Sequence, residues 1–150
     1  MGLEAYNALP MRRAVVAVYE CCPSVPLAAD LARSRPFRTR DALFRRADAL
    51  LLDLAEPAVD AVLQAYPLAH HWGDRSSEID TAVMHYVDRF GLGFVMYTAD
   101  CRPQDILAAL TARLRNDEIA ERRVVRGELA KINRMRLARM LGPEGGYDNW

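Results

Sequence analysis

Along most of the chain apolar residues recur three and four apart, the period of an amphipathic helix, and clean alternation is nowhere sustained. The pattern predicts helices over about 10–21, 26–34, 39–54, 57–65, 77–90, 103–115 and 117–141. Ala, Leu and Arg, all good helix formers, fill these segments, and Val falls mainly inside helical patterns. Prolines punctuate them. Cys22-Pro23-Ser24-Val25-Pro26 breaks the first helix, Arg35-Pro36-Phe37 comes after the second, Pro57 suits a first turn, and Pro103 opens a later helix. Thr39 is a natural cap. Residues 66–76 read as a loop, and Gly91 stops the helix over 77–90. Residues 92–102 are the least helical stretch. Within them Leu92-Gly93-Phe94-Val95-Met96-Tyr97 fits either a buried strand or an extended segment. The end, 142–150, is turn-like and reads as a mobile tail. No hairpin signal, internal repeat or linker interrupts this pattern, so the expectation is one compact, all-α, multi-helix domain over 1–150.

Two stripes carry candidate chemistry. At 100° per residue, Val125, Leu129, Ile132 and Met140 line one face of the last helix, and Arg136 falls in the middle of it. A core-facing guanidinium is costly unless paired. It either clamps an anion at the base of a pocket, pairs with an internal Asp or Glu, or extends past the core edge. On the helix over 77–90 the stripe is Ile79, Val83, Tyr86, Val87 and Phe90, and Ser77 with Asp80 fits a capping box. Glu78, at the flank of that stripe, either favours the helix dipole or serves as a general base at a helix entrance.

Before that helix runs Tyr66-Pro67-Leu68-Ala69-His70-His71-Trp72. Adjacent His do not share a helix face, and no Cys or carboxylate cluster completes a metal site, so a solvated loop competes with a proton-shuttle role for His70 or His71. His85 reads as exposed or at the core edge. Cys21-Cys22 reads as two small buried side chains rather than a nucleophile, because no His lies near in sequence. Asp117-Glu118 place negative charge where the last helix begins, and Glu118 with Arg122 forms an i,i+4 pair.

Composition narrows the function classes. The chain has 150 residues, the length of one domain. Lys+Arg and Asp+Glu are 20 each, so formal net charge is zero, which argues against a nucleic-acid partner. Hydrophobic residues at 51% and charged ones at 27% indicate a globular rather than a disordered chain. No run of 18 apolar residues suggests a membrane span, and Met1-Gly2-Leu3-Glu4-Ala5-Tyr6 does not read as a signal peptide. Three Cys in this spacing resemble neither a zinc site nor a disulfide framework, and a reducing cytoplasm is the expected setting. With no P-loop, dinucleotide fingerprint or HExxH, the expectation is no metal and no organic cofactor.

The order of several segments resembles the 2-oxo-4-hydroxy-4-carboxy-5-ureidoimidazoline (OHCU) decarboxylases. The opening carries Asn7-Ala8-Leu9-Pro10, Glu20-Cys21-Cys22-Pro23-Ser24 and Arg35-Pro36-Phe37. The middle carries Tyr86 and Arg89-Phe90-Gly91-Leu92-Gly93-Phe94-Val95. The end carries Arg113-Leu114-Arg115-Asn116-Asp117, Glu121, Glu128-Leu129, Lys131-Ile132 and Arg136-Leu137. The likeness covers about 7–141, with a gap in the middle.

The resemblance implies an all-α fold, often a homodimer, and a cofactor-independent lyase of purine catabolism that decarboxylates a ring-opened urate product to one enantiomer of allantoin. Its site uses a His of an Ala-His-Pro motif, a Glu of a Glu-Gln pair and an Arg of the closing helix, which aligns with Arg136. Tyr66 stands where the motif has His, and tyrosine is a poor base at neutral pH. Glu78-Ile79 stands where the pair has Glu-Gln. The spacing from Glu78 to Phe90 is shorter than the family's by roughly a dozen residues, so an ungapped match of that helix leaves Glu78 without a catalytic counterpart. By this resemblance Tyr66, Glu78 and Arg136 are the catalytic candidates, and His70, His71, Phe94 and Val95 the substrate-binding ones. The expected reaction is acid–base chemistry on a small cyclic carboxylate or ureide-like substrate, retooled from the family's own. The other readings are the OHCU decarboxylase itself and a non-catalytic protein that keeps only the fold.

Overall fold

The computed structural model describes residues 1–65 and 76–143. Among the described residues it holds eight α-helices and no strand. They are α1 (Leu3–Ala8), α2 (Met11–Cys21), α3 (Val25–Arg33), α4 (Arg40–Asp53), α5 (Glu56–Gln64), α6 (Ser76–Phe90), α7 (Pro103–Arg113) and α8 (Glu118–Leu141). Seven match the periodicity to within two residues, and α1 has no counterpart in it. The chain divides into two compact units, one of residues 1–62 with 130–150 and one of 63–129.

In the first unit α2 packs on α3, and α3 on α4. Their buried rows keep helical spacing: Ala14, Val18 and Cys21 on α2, Leu27, Ala28, Leu31 and Ala32 on α3, Leu43, Ala47, Leu50 and Leu51 on α4. Burying a Leu or Val side chain is worth about 1.5–3 kcal/mol, so these rows set the packing. Caps fix the starts. The Thr39 hydroxyl accepts from Ala42 N at 3.0 Å, and Ser24 from Leu27 N at 3.4 Å.

Two motifs of the opening segment meet here. The Asn7 side chain donates to Phe37 O and accepts from Phe37 N, both at 2.9 Å. Arg35 donates to the carbonyls of Tyr6 (2.9 Å), Leu9 (2.7 Å) and Ala32 (2.8 Å), which include acceptors left over at the end of α1. Its guanidinium lies 5.5 Å from the Tyr6 ring centroid. The C-terminal half of α8 belongs to the same unit. Arg40 donates to Gly142 O and to Ala138 O (3.2 Å), Arg134 pairs with Asp48 at 2.9 Å, and Gly142 takes the left-handed conformation (φ +73°) that ends the helix.

In the second unit α6 packs on α7. Ile79 and Tyr86 are fully buried, while Val87, expected on the same stripe, is exposed because the buried face turns away from it. His85 is exposed, as read from sequence. Helix α6 begins at Ser76, so Ser77 lies inside its first turn and is not the cap its spacing with Asp80 suggested. Gly91 closes the helix at φ +65°, its N–H on Val87 O at 2.8 Å. Residues 92–101 form neither strand nor helix. Asp117 caps α8 by accepting from Ala120 N at 2.7 Å.

Candidate active site

Arg136, half-buried in the first unit, is the candidate that the sequence singled out on α8. Helix α8 presents Leu129, Asn133, Leu137 and Leu141 to the core, each four residues from the next and each buried. That row is the true centre of the buried face. Arg136 and Met140 sit at its edge, half-buried, rather than in its middle as the stripe through Ile132 suggested. The edge suits an arginine, whose long aliphatic stem can lie against apolar surface while its charged end stays polar.

One amino group of Arg136, NH1, donates to Cys21 O at the end of α2, at 3.3 Å. A carbonyl at a helix C-terminus carries partial negative charge, and a guanidinium is favourable beside it. Cys21 and Cys22 stand at this same end, 6% and 1% exposed. Burial pushes both thiols up to about 11, more than the nearby Arg136 charge lowers them. Burial of this kind disfavours the thiolate, the nucleophilic form, at neutral pH. Tyr6, fully buried and pushed up to about 12 chiefly by that burial, keeps a hydroxyl with no hydrogen-bond partner among the described residues.

The second unit holds a buried polar network that the periodicity did not reveal. Glu121 is fully buried. Its Oε1 accepts from Tyr86 OH at 2.5 Å and from Arg113 Nε at 2.7 Å, and its Oε2 accepts from Asn116 Nδ2 at 3.1 Å. The Arg113 guanidinium continues to Val95 O at 2.7 Å and lies 4.7 Å from the Phe94 ring centroid. Phe94 stands edge-on to Tyr86 at 5.3 Å. Desolvation and the Glu121 hydrogen bond both raise the Tyr86 phenol far above its usual range. The signal for this network lay in the resemblance, since Arg113, Asn116 and Glu121 are among its motif residues. Here they hold a segment of backbone.

The candidate residues fall in different places. Arg136 lies half-buried in the first unit. Glu78 lies exposed in the first turn of α6, Phe94 is half-buried, and Val95 is buried with its carbonyl on Arg113, all in the second unit. Ile79 is a fully buried core residue. Tyr66, His70 and His71 lie outside the described residues, as does the tail from 144. Among the described residues no group of three or more His, Cys, Asp or Glu is placed to hold a metal. No helix among them is long and apolar enough to cross a membrane. Sequence reading missed Asn133. Its signal was a polar letter in an i,i+4 row of leucines.

The comparisons identify the class to which this all-α fold belongs. The family model described as OHCU decarboxylase matches residues 7–78 and 68–138. The chain belongs to the OHCU decarboxylase family. Residues 68–78 fall in both matches. A crystal structure of (S)-allantoin synthase matches with a TM-score of 0.82 and 18% identity, over 95% of this chain and 54% of that one, so this chain spans about half of it. A crystal structure of OHCU decarboxylase in the presence of (S)-allantoin matches with a TM-score of 0.70 and 20% identity, over 82% of this chain and 95% of that one. No curated protein matches by sequence.

Proposed function

We propose that this chain is a cofactor-independent lyase, a divergent decarboxylase of its family, acting on a small cyclic anion held by Arg136. The observation that carries the reading is that guanidinium. It is half-buried at the edge of the core and oriented on the end of α2, inside a family match that runs to residue 138. The reading takes 1–150 as one functional domain, cytoplasmic and homodimeric; the span of the family match across both units supports the single domain.

The chemistry needs three parts. The bond from ring carbon to carboxylate breaks, CO2 leaves, and its electron pair stays on the ring. A donor then protonates that carbon on one face. Arg136 holds the substrate carboxylate or the ring oxygen that gains charge. Tyr66 is the proton donor, and Glu78, or His70 or His71, is the base. Phe94 and Val95 contribute apolar surface to the substrate. A grip on the departing carboxylate would show mainly in KM, and a grip on the ring oxygen in kcat, so Arg136→Lys kinetics separate the two.

Divergence from the parent reaction is favoured by Ile79. If the family's Glu-Gln pair aligns with Glu78-Ile79, the Gln amide is replaced by a side chain sealed in the core. The test is allantoin formation from freshly generated OHCU, measured beside thermal shifts with small cyclic carboxylates. The expectation is stabilisation by one or more carboxylates, lost in Arg136→Ala, with allantoin forming no faster than by uncatalysed decay. An accelerated rate would return the chain to the parent activity. Absence of any stabilisation, with Tyr66→Phe, Glu78→Gln and Arg136→Ala all silent in the biological role, would leave a protein that kept only the fold.

A further inference from the structure

Helix α2 turns Ala14, Val18 and Cys21 into the core of its unit. At 100° per residue its opposite side is centred on Val16, where an amphipathic helix carries polar residues. Here that centre is apolar and open. Val16 is 51% exposed, and Tyr19, three residues on, is 44% exposed. Leu9, Val16 and Ala17 line a groove of about 460 Å³, together with Arg12, Arg13 and Glu20. A single exposed apolar side chain is ordinary, whereas a concavity lined by several and rimmed by charge marks a contact surface.

The charges on this side are unpaired. Among the described residues Arg12, Arg13 and Glu20 have no hydrogen bond or ion pair. They cannot satisfy one another within one copy, since Arg12 and Arg13 lie about 12 and 10.5 Å from Glu20 along the helix axis. Turned end for end about Val16, however, the face is its own complement. In an antiparallel pair of α2 helices crossing at Val16, Arg12 stands opposite the partner's Glu20, and Glu20 opposite the partner's Arg12. Arg13 stands opposite the partner's Tyr19. One two-fold axis thus gives two ion pairs and two arginine–aromatic contacts, the self-complementary pattern of an isologous dimer. The exposed apolar residues of α6, Met84 and Val87, lack this property. The same operation about Met84 would set Asp80 against the partner's Asp88, like charge against like.

We infer that the outer face of α2 is the surface on which two copies of this chain associate, as antiparallel α2 helices crossing at Val16. Val16 and the groove beside it supply the apolar burial. The Arg12–Glu20 pairs, at the rim, fix direction and register more than strength. A helix of 11 residues is about 16 Å long, so α2 alone covers less than the ~800 Å² per partner of a standard interface. The dimer is accordingly a weak one that dissociates on dilution. The inference rests on the homodimeric part of the proposed function, to which it gives a surface, and on nothing in the lyase chemistry.

Sedimentation equilibrium of the full chain tests it, over protein concentrations from about 5 μM to about 1 mM. The expected result for the wild type is a passage from 16.9 kDa toward twice that mass, with no larger species, because an isologous face closes on itself. Arg12→Glu and Glu20→Arg should each weaken the dimer by about tenfold, since like charges then face one another twice. The double variant, Arg12→Glu with Glu20→Arg, restores opposite charges across the axis and should recover most of the lost association. Val16→Asp should abolish the dimer. All three side chains are exposed, so the Tm of each variant should change little. Met84→Asp, on α6, should leave association unchanged. A wild type that stays at 16.9 kDa throughout would overturn the inference and the homodimeric reading together, leaving the face to a different partner or to solvent. A dimer indifferent to Arg12, Val16 and Glu20 would overturn the inference and spare that reading. Single variants that weaken the dimer, with no recovery in the double variant, would overturn the antiparallel pairing.

Discussion

At the scale of single residues the decisive quantity is whether a buried polar atom has a partner. Glu121 and Arg113 satisfy each other, with side chains 0% and 7% exposed. Glu121→Ala would leave the guanidinium uncompensated, and the expected loss is about 3–5 kcal/mol of unfolding free energy in denaturant titration. The cysteines give a pH signature. Cys21 and Cys22 bind their protons more tightly folded (about 11) than the ordinary value of 9.0. Their contribution to stability is complete below about pH 9 and is lost as pH rises toward about 11, because the unfolded chain ionises first. Alkaline unfolding of Cys22→Ala should therefore be less steep over that window than that of the wild type. In the native state a thiol reagent at pH 8 should label half-buried Cys101 before either of the pair. Arg136 was legible as an anomaly in an apolar pattern. Asn133 was not, because a wheel drawn through Ile132 centres the buried face about one residue away from where packing puts it.

Helices were the most legible elements, since apolar spacing, Thr39, Pro103 and Gly91 each act locally. What escaped was set by distant contacts. Helix α1 has six residues and a single buried one, Tyr6, too short to be stable by its own pattern. Its terminal carbonyls are taken up by Arg35, almost thirty residues on. The segment around Val95 could not be assigned from its apolar run because its backbone partner is not another strand. It is the Arg113 side chain. Two glycines make opposite predictions for thermal melts. Gly91 needs its left-handed φ of +65°, so Gly91→Ala should destabilise by about 1 kcal/mol. Gly127 lies inside α8 with open space around it, so Gly127→Ala should stabilise by about 0.5–1 kcal/mol.

For the molecule as a whole, balanced charge and a pI of about 6.8 set its behaviour toward polyanions and toward itself. The chain should pass through a heparin column at pH 7.5 and low salt, and its solubility should be lowest near neutrality and rise on either side. Retention on the column would reveal a nucleic-acid face that the composition argues against. Fold class and family were readable across the chain, while the substrate was not, since the family likeness resides largely in residues that bind other parts of the protein. The clasp between Asn7 and Phe37, with Arg35 beside it, is a fastening of that kind. Descendants of an ancestral enzyme can preserve such fastenings intact while their chemistry drifts, so a shared signature of this sort records common assembly. Sorting these chains by the molecules they transform will depend on letters other than these fastenings, which any member that assembles in the same way can share.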